Sequence, residues 1–241
     1  MVVAYDGSGY RGFALQPGVP TVAGAVCAAL ERSLRHTVEI TCAGRTDAGV
    51  HAWGQVISFE ARADMDPRVL RRALNKTLRP AIVVRECCVA PAGFDARRSA
   101  TGRRYRYTIR NDPVADPFTA RTAWHIAEAL DLAAMRLACD PLIGEHDFSS
   151  FCRRPPGEGS LVRRVREARW VREGEGMLRF EIEASSFCHQ MVRSVVGLMV
   201  DVGLGKKRAG DVAHILRARS RQGAGQLAPP HGLCLWEVSY D

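Results

Sequence analysis

The sequence lacks the patterns that mark several large classes of protein. No apolar run approaches the length of a membrane span, so a membrane protein is not expected. The N-terminus, MVVAYDGSGYRG, has no basic region followed by an apolar core, so a secretory signal is not expected either. Hydrophobic residues make up 46% of the 241 residues and charged residues 25%, as in ordinary globular proteins. The cytoplasm is therefore the expected location.

Motifs for metals and nucleotide cofactors are also missing. The eight cysteines form no CxxC pair and the HExxH spacing is absent, so a zinc site is not expected. A disulfide framework is not expected in a chain of this size without a signal, and small buried thiols are the simpler interpretation. The glycine-rich YDGSGYRG is neither GxGxxG nor a P-loop, and no GxSxG nucleophile elbow is present.

Positive charge is in excess. Lysine and arginine number 34 against 26 acidic residues, a net charge of +8, and most of the basic residues are arginine. A surplus of this size favours a polyanionic partner, although net charge alone does not identify it. Arginine suits such a partner because its guanidinium clamps phosphate and stacks on bases.

The first part of the chain alternates between helical and strand patterns. Apolar residues spaced by four predict a helix over 21–35 with Thr21 as its cap, and Asp66 followed by Pro67 predicts a second helix over 66–78. Strands are predicted over 38–44, 54–61 and 81–90. The alternation is typical of an α/β or α+β protein.

The second part repeats this alternation. In RRYRYTIR, Tyr105 and Tyr107 face one way and Arg104 and Arg106 the other, which predicts a strand. A loop follows at 111–121. Beyond it, helices are predicted within 128–142, 185–205 and 210–219, a hairpin with a Gly-Glu-Gly turn within 161–184, and a last strand over 232–240. A domain boundary is expected near 100–110.

One acidic residue stands out as a candidate site. Asp47 lies in AGRTDAGVHAWGQV, a glycine-containing loop between two predicted strands, and loops held in rigid frames often carry function. It can be a turn-forming or capping residue, or it can be catalytic. Arg45 can keep the acid ionised or grip a phosphate. His51 is interpreted as a capping or packing residue.

Two further stretches allow more than one interpretation. Glu145, His146 and Asp147 are adjacent in sequence and therefore do not point at one ion, so we interpret GEHDFSSF as a turn with caps and with phenylalanines in a core. The arginine-rich strand fits RNA, with arginines on phosphates and an aromatic ring under a displaced base. It fits equally well a strand whose tyrosines only fill the core.

Motifs along the whole chain resemble the TruA family of tRNA pseudouridine synthases. They are AYDGSGYRG, AGRTDAGVHAWGQVISF, ALN, FDARRSATGRRYRYTI, LIGEHDFSSF, SFCHQMVRSVVG and APPHGLCLWEVSY. The sequence departs from the family at Phe13-Ala14, where a Trp-Gln pair is usual, and at Cys188, where leucine often follows the phenylalanine. Neither departure falls on a catalytic position of the family.

The resemblance implies a function and roles for four residues. It implies that uridine is converted to pseudouridine at positions 38 to 40 of the tRNA anticodon stem-loop, without a metal or cofactor. Asp47 is then the nucleophile and Arg193 its ionic partner. Tyr105 stacks on the flipped uracil, and Arg45 helps to extrude the nucleotide. The acid can attack C1′ of the ribose or C6 of the uracil, or can act as the base leaves as a glycal.

The same resemblance implies an architecture. It is an α+β pseudouridine synthase fold whose two subdomains, 1–100 with the aspartate loop and 101–241, have joined mixed, mainly antiparallel sheets and a basic cleft between them. A homodimer that binds tRNA is implied, with no membrane association. A non-catalytic RNA-binding module on the same scaffold is the alternative. A glycoside hydrolase would usually need a second carboxylate at about 5 to 9.5 Å, and none is evident near Asp47 in sequence.

Overall fold

The structure is a computed structural model that describes residues 1–61, 65–153 and 159–240. Contacts between Cα atoms separate two compact units. The first contains Met1–Thr101 and the C-terminal segment that begins at Cys234, and the second is Gly102–Leu233. The prediction had placed that C-terminal segment in the second subdomain.

The secondary structure is mixed throughout. The strands are β1 (Val2–Tyr5), β2 (Thr41–Cys42), β3 (His51–Ser58), β4 (Ile82–Glu86), β5 (Ala100–Asn111), β6 (Trp124–Ile126), β7 (Gly144–Asp147), β8 (Val162–Arg172), β9 (Met177–Ala184) and β10 (Leu233–Tyr240). The α-helices are α1 (Val22–Leu34), α2 (Pro67–Leu78), α3 (Leu132–Leu137), α4 (Met191–Gly203) and α5 (Asp211–Ala218). Mixed sheets flanked by helices confirm the α+β class.

A mixed sheet with two helices forms the first unit. Strands β4, β1 and β3 pair antiparallel, and β10 joins β3 in parallel through Cys234 opposite His51 and Leu235 opposite Ala52. Helix α1 begins where the Thr21 hydroxyl accepts a hydrogen bond from Gly24 N, and α2 begins where Asp66 accepts one from Arg68 N. Both predicted caps are confirmed. The apolar faces of the two helices are buried.

An antiparallel sheet organises the second unit. Strand β9 pairs with β5 on one side and β8 on the other, β7 pairs with the far edge of β8, and the short β6 runs parallel to β5. The hairpin between β8 and β9 is confirmed, and its turn has Gly174 and Gly176 in left-handed conformations that glycine adopts without strain. Helix α4 is buried along almost its whole length.

Three element predictions were wrong in extent or type. The helix predicted within 128–142 is limited to α3, and the chain continues as a 3₁₀ turn at Asp140–Leu142, because Pro141 cannot donate the hydrogen bond that an α-helix needs. The strand predicted over 38–44 is limited to β2. The GEHD stretch forms strand β7 rather than a turn, although Phe148 and Phe151 are fully buried as expected.

The prediction for the cysteines was wrong at one pair. Cys152 and Cys188 form a disulfide, with Cα atoms 5.8 Å apart, whereas the sequence had predicted buried thiols. Cys152 follows the loop after β7 and Cys188 precedes α4, so their proximity depends on the tertiary fold and not on local spacing. Among the described residues six cysteines are free. Over the same residues, no helix is long and apolar enough to cross a membrane.

Gly197 permits a close backbone contact in the second unit. A Cβ atom at this position of α4 would lie 1.8 Å from the carbonyl oxygen of Gln226. Because that neighbour is backbone, no side-chain rotation can relieve the overlap.

We expect Gly197→Ala to lower the free energy of unfolding by about 1–3 kcal/mol or more. Gly210→Ala is the matched control, since a Cβ there meets nothing within 4 Å, and it should stay within about 0.5 kcal/mol of wild type. Urea denaturation of both variants measures the difference; equal midpoints would contradict the prediction.

Candidate active site

The loop that carries Asp47 lies between β2 and β3 and is closed by its own backbone. Ala43 N donates to Val56 O over 2.9 Å where the loop leaves β2, and Val50 N donates to Asp47 O over 3.1 Å in the turn before β3. The predicted position of the loop, framed by two strands, is confirmed. Arg45 is exposed, Thr46 is buried and Asp47 is half-buried, so acid and arginine share one loop but differ in exposure.

A buried network of hydrogen bonds supports the Asp47 loop. The Tyr5 hydroxyl and Thr46 Oγ1 are 2.8 Å apart, and Gln55 Nε2 donates to Gly44 O over 2.6 Å. Burial raises the pKa of Tyr5 well above its usual value, which keeps the phenol protonated and able to donate. The network fixes the backbone on both sides of Arg45. Tyr5 and Gln55 were not predicted to support the loop, because the alternating pattern of a strand does not show which side chains hydrogen-bond to it.

A second segment lies against the same loop. Phe13 N donates to Thr46 O over 3.1 Å, and Gly12, at a φ of 96°, approaches so closely that a Cβ would lie 2.9 Å from Thr46 O. A residue with a side chain would be strained there both by conformation and by contact. The YDGSGYRG motif therefore contributes support for the Asp47 loop.

His51 has the packing role that was predicted for it. It is buried at the start of β3, and its Nδ1 accepts a hydrogen bond from Gly7 N over 3.1 Å. The Asp6 carboxylate lies 3.2 Å from the same nitrogen. His51 thus connects β3 to the turn after β1.

The acidic and histidine side chains near β7 serve local structure. Asp147 accepts from the backbone N and the hydroxyl of Ser149, and His146 is hydrogen-bonded to Ile143 O. Among the residues that the structure describes, no group of three or more histidine, cysteine, aspartate or glutamate side chains could hold a metal ion.

Tyr105 lies on the buried face of β5 in the second unit. It is 7% exposed, and its ring makes a T-shaped contact with that of Phe187, with ring centroids 5.0 Å apart and an interplanar angle of 84°. Two strand positions later, Tyr107 is fully buried and donates its hydroxyl to Pro229 O over 2.8 Å. Both tyrosines therefore contribute to the core, and only Tyr105 retains some exposed surface.

Arg193 is anchored at the first turn of α4. Its Nε donates to Ala228 O over 2.8 Å, and Ala228 N donates back to Arg193 O over 3.2 Å. The positive charge of Arg193 acts on Tyr107, where it partly opposes the rise in pKa caused by burial. These contacts hold the half-buried guanidinium in place on its own unit. The predicted pairing with Asp47, which belongs to the other unit, stays a prediction.

The arginines of β5 are already paired with carboxylates. Arg104 contacts Glu183 over 2.6 Å, and Arg106 contacts the buried Glu181 over 2.8 Å. Burial alone would raise the pKa of Glu181, but the hydrogen bond from Arg169 and the nearby arginine charges hold it below its usual value. These ion pairs do not test whether arginines of this strand contact RNA phosphates, and that contact stays a prediction. The stretch 153–172 is also rich in arginine, and we predict that it contacts RNA as well; its Arg154 lies outside the described residues.

Sequence comparison identifies the family. The family model for tRNA pseudouridine synthase matches residues 1–97 and 138–241. The chain belongs to this family. Members named tRNA pseudouridine synthase A include those of Geobacter sp. (strain M21), 39% identical over 100% of this chain and 97% of the relative, and Moorella thermoacetica, 42% identical over 100% and 98%. That of Brevibacillus brevis is 41% identical over 99% and 98%.

Membership of the pseudouridine synthase family confirms the sequence-based identification over the full chain. The structure adds the parts that support the site: Tyr5, Gln55 and Gly12 around the Asp47 loop, Ala228 beside Arg193, and Phe187 beside Tyr105. All five lie within motifs that carried the resemblance, but the sequence did not single out any of them as a site residue.

Proposed function

We propose that this protein isomerises uridine to pseudouridine at positions 38 to 40 of tRNA, with Asp47 as the nucleophile. The observation that carries the proposal is family membership together with an aspartate that is half-buried in a loop braced from two sides. The relatives reported above are named tRNA pseudouridine synthase A, which supports tRNA as the substrate. We place the reaction in the cytoplasm, where tRNA resides.

The chemistry explains why a single carboxylate is sufficient. The N1–C1′ bond of uridine breaks, the base turns, and C5 bonds to C1′ while the C5 proton leaves. Nothing is oxidised and no group is donated, so the reaction needs no cofactor. Asp47 can attack C1′ and form a covalent intermediate, it can assist departure of the base as a glycal, or it can attack C6.

The remaining site residues have proposed roles that follow from their types and surroundings. The target base must leave the helical stack to be reached, and Tyr105 stacks on the uracil once it is flipped. Arg193 pairs with Asp47, and an opposite charge favours the ionised acid. Its anchorage to Ala228 O supports this role, because a fixed guanidinium loses little entropy on pairing.

Arg45 is proposed to help extrude the nucleotide, and its exposure next to Asp47 supports this role. We expect Arg45→Gln to lower kcat/KM by about ten- to a hundredfold, the value of a hydrogen bond to a charged group. If Arg45 contacts a phosphate, the salt dependence of tRNA binding should also fall by about 0.7 to 0.9 in slope. Arg32→Gln, an exposed arginine on α1, removes the same charge from the same unit. Equal kcat/KM values for the two variants would show that Arg45 has no specific role in the reaction.

The site specificity can be tested directly. The purified protein is incubated with a tRNA transcript labelled with tritium at C5 of uridine, and release of tritium is followed alongside mass-spectrometric mapping of pseudouridine. We expect release from the natural transcript and none from one with cytidine at positions 38 to 40. Pseudouridine at other positions of the tRNA would show that the proposed positions 38 to 40 are wrong. Tight tRNA binding without any release would instead support a non-catalytic RNA-binding module.

A homodimer is also proposed, on the family resemblance. Sedimentation equilibrium gives the mass in solution without reference to a standard. A mass near 53 kDa, about twice the 26.5 kDa of the chain, is expected. A monomer at micromolar concentration would contradict it.

A further inference from the structure

The Cys152–Cys188 disulfide connects two segments of the second unit that are 36 positions apart in sequence. Both residues are buried, Cys152 with 2% and Cys188 with 6% exposure. Beside them, Arg153 N donates to His189 O over 3.0 Å, so the two segments are held together by backbone as well. Because this hydrogen bond does not depend on the sulfurs, the cysteines should remain close to each other when reduced.

A cavity beside the pair is lined in part by one of the two cysteines, Cys152. It has a volume of about 430 Å³ and is lined by Asp147, Ser149, Cys152, Leu161, Arg219 and Arg221. Cys188 is not part of its wall. Among the described residues that line the cavity, Asp147 is paired with Arg219 over 3.4 Å, and Arg221 adds a further positive charge, which favours anionic reagents.

The pair is also adjacent to a proposed substrate contact. Phe187, which precedes Cys188 in the chain, makes a T-shaped ring contact with Tyr105, with ring centroids 5.0 Å apart. The cross-link therefore fixes the backbone next to the aromatic ring that supports Tyr105. On the other side of Cys188, its carbonyl oxygen accepts from Met191 N at the start of α4, the helix that carries Arg193.

We propose that Cys152 and Cys188 form a thiol–disulfide exchange site for a small acidic disulfide, and that its redox state modulates the pseudouridine synthase activity. The Cys152 thiolate attacks the small disulfide from the cavity, forms a mixed disulfide and expels one thiol. The Cys188 thiolate then attacks Cys152 Sγ and expels the second thiol. In total, two protein thiols and one disulfide give the protein disulfide and two small thiols, with two electrons passing to the reagent.

The effect on activity rests on the function proposed above. In the oxidised protein the cross-link holds Phe187 and thus Tyr105 in a stacking position. In the reduced protein the Arg153 N–His189 O hydrogen bond still holds the backbone, but the Phe187 side chain is less restrained and must be ordered when the uracil binds. Because ordering a side chain on binding has an entropic cost, reduction should lower kcat/KM by about two- to tenfold.

The test equilibrates the full-length protein in buffers with graded ratios of reduced to oxidised glutathione, an acidic thiol–disulfide couple. Alkylation followed by peptide mass spectrometry measures the Cys152–Cys188 disulfide, and tritium release measures activity in the same samples. We expect one two-electron transition at which the disulfide disappears and activity falls together. Cys152→Ser, and independently Cys188→Ala, should abolish the redox dependence while the six other cysteines remain.

A second comparison tests the charge of the cavity. Oxidation by glutathione disulfide should be faster than oxidation by uncharged 2-hydroxyethyl disulfide, and the difference should shrink at high salt. Failure of the disulfide to form or break in any buffer would overturn the exchange site. A complete transition without any change in activity would overturn the modulation. If tritium release is absent in every buffer, the proposed function fails, while the mass measurement still tests the exchange site.

Discussion

Asp47→Asn should fold, bind tRNA and release no measurable tritium. Asparagine has nearly the shape of aspartate, and the turn around position 47 is closed by backbone atoms, Val50 N and Asp47 O, which the substitution leaves intact. The support from Tyr5, Thr46 and Gln55 is also unaffected. The variant loses only the charge and the nucleophilic oxygen. We expect a loss of several orders of magnitude in kcat, because nothing replaces a covalent or charge-stabilised step.

Asp66→Asn is the matched control for this experiment. It makes the same chemical change in the same unit, at the cap of α2, where asparagine caps a helix about as well as aspartate. Its activity and thermal unfolding should match wild type. Tritium release by folded Asp47→Asn within about tenfold of wild type, a difference of only about 1.4 kcal/mol in the barrier, would be incompatible with a nucleophilic Asp47.

Substitutions at Tyr105 should separate the ring from the hydroxyl. Tyr105→Phe retains the ring and its contact with Phe187, so activity should fall only slightly if stacking is the whole role. Tyr105→Ala should cost about 1–3 kcal/mol of transition-state stabilisation through lost base stacking, measured as kcat/KM. If the phenylalanine variant is as inactive as the alanine variant, the hydroxyl itself acts, for example in removing the C5 proton.

Because Tyr105 is buried, the alanine variant will also lose packing, and stability must be measured separately. Ile109→Val, on the same face of β5 and fully buried, provides the comparison. It should lower the free energy of unfolding by about 0.5–1.5 kcal/mol and leave the kinetics of the folded protein unchanged. A parallel loss of activity in Ile109→Val would show that Tyr105→Ala acts through the strand and not through the base.

The elements that could be predicted from sequence are those whose causes are local. Thr21 and Asp66 cap helices through atoms two or three residues away, so their positions follow from a short stretch of sequence. The alternation in β5 likewise placed Tyr105 and Tyr107 on the buried face. The Asp47 loop could be placed because the strand patterns flank it directly.

The features that could not be predicted depend on partners that are distant in sequence. Alternation shows which face Arg106 lies on, but not that Glu181 of β9 lies across from it. Cys152 and Cys188 are separated by 36 positions with no motif spacing to relate them. A strand pattern over 232–240 does not show which strand it pairs with. The contacts of Tyr5 and Gln55 with the Asp47 loop could not be predicted for the same reason, because they too join residues that are distant in sequence.

The position of β10 has a consequence for the order in which the chain acquires its structure on the ribosome. Strand β3 directly follows the Asp47 loop in the chain. The strand that pairs with one of its edges, β10, begins at Leu233 and is therefore synthesised more than half the chain later. The second unit is continuous and can fold first, while β3 offers unpaired backbone groups to any other nascent strand. Translation pauses within the intervening segment should therefore increase aggregation of this protein, since they prolong the exposure of that edge.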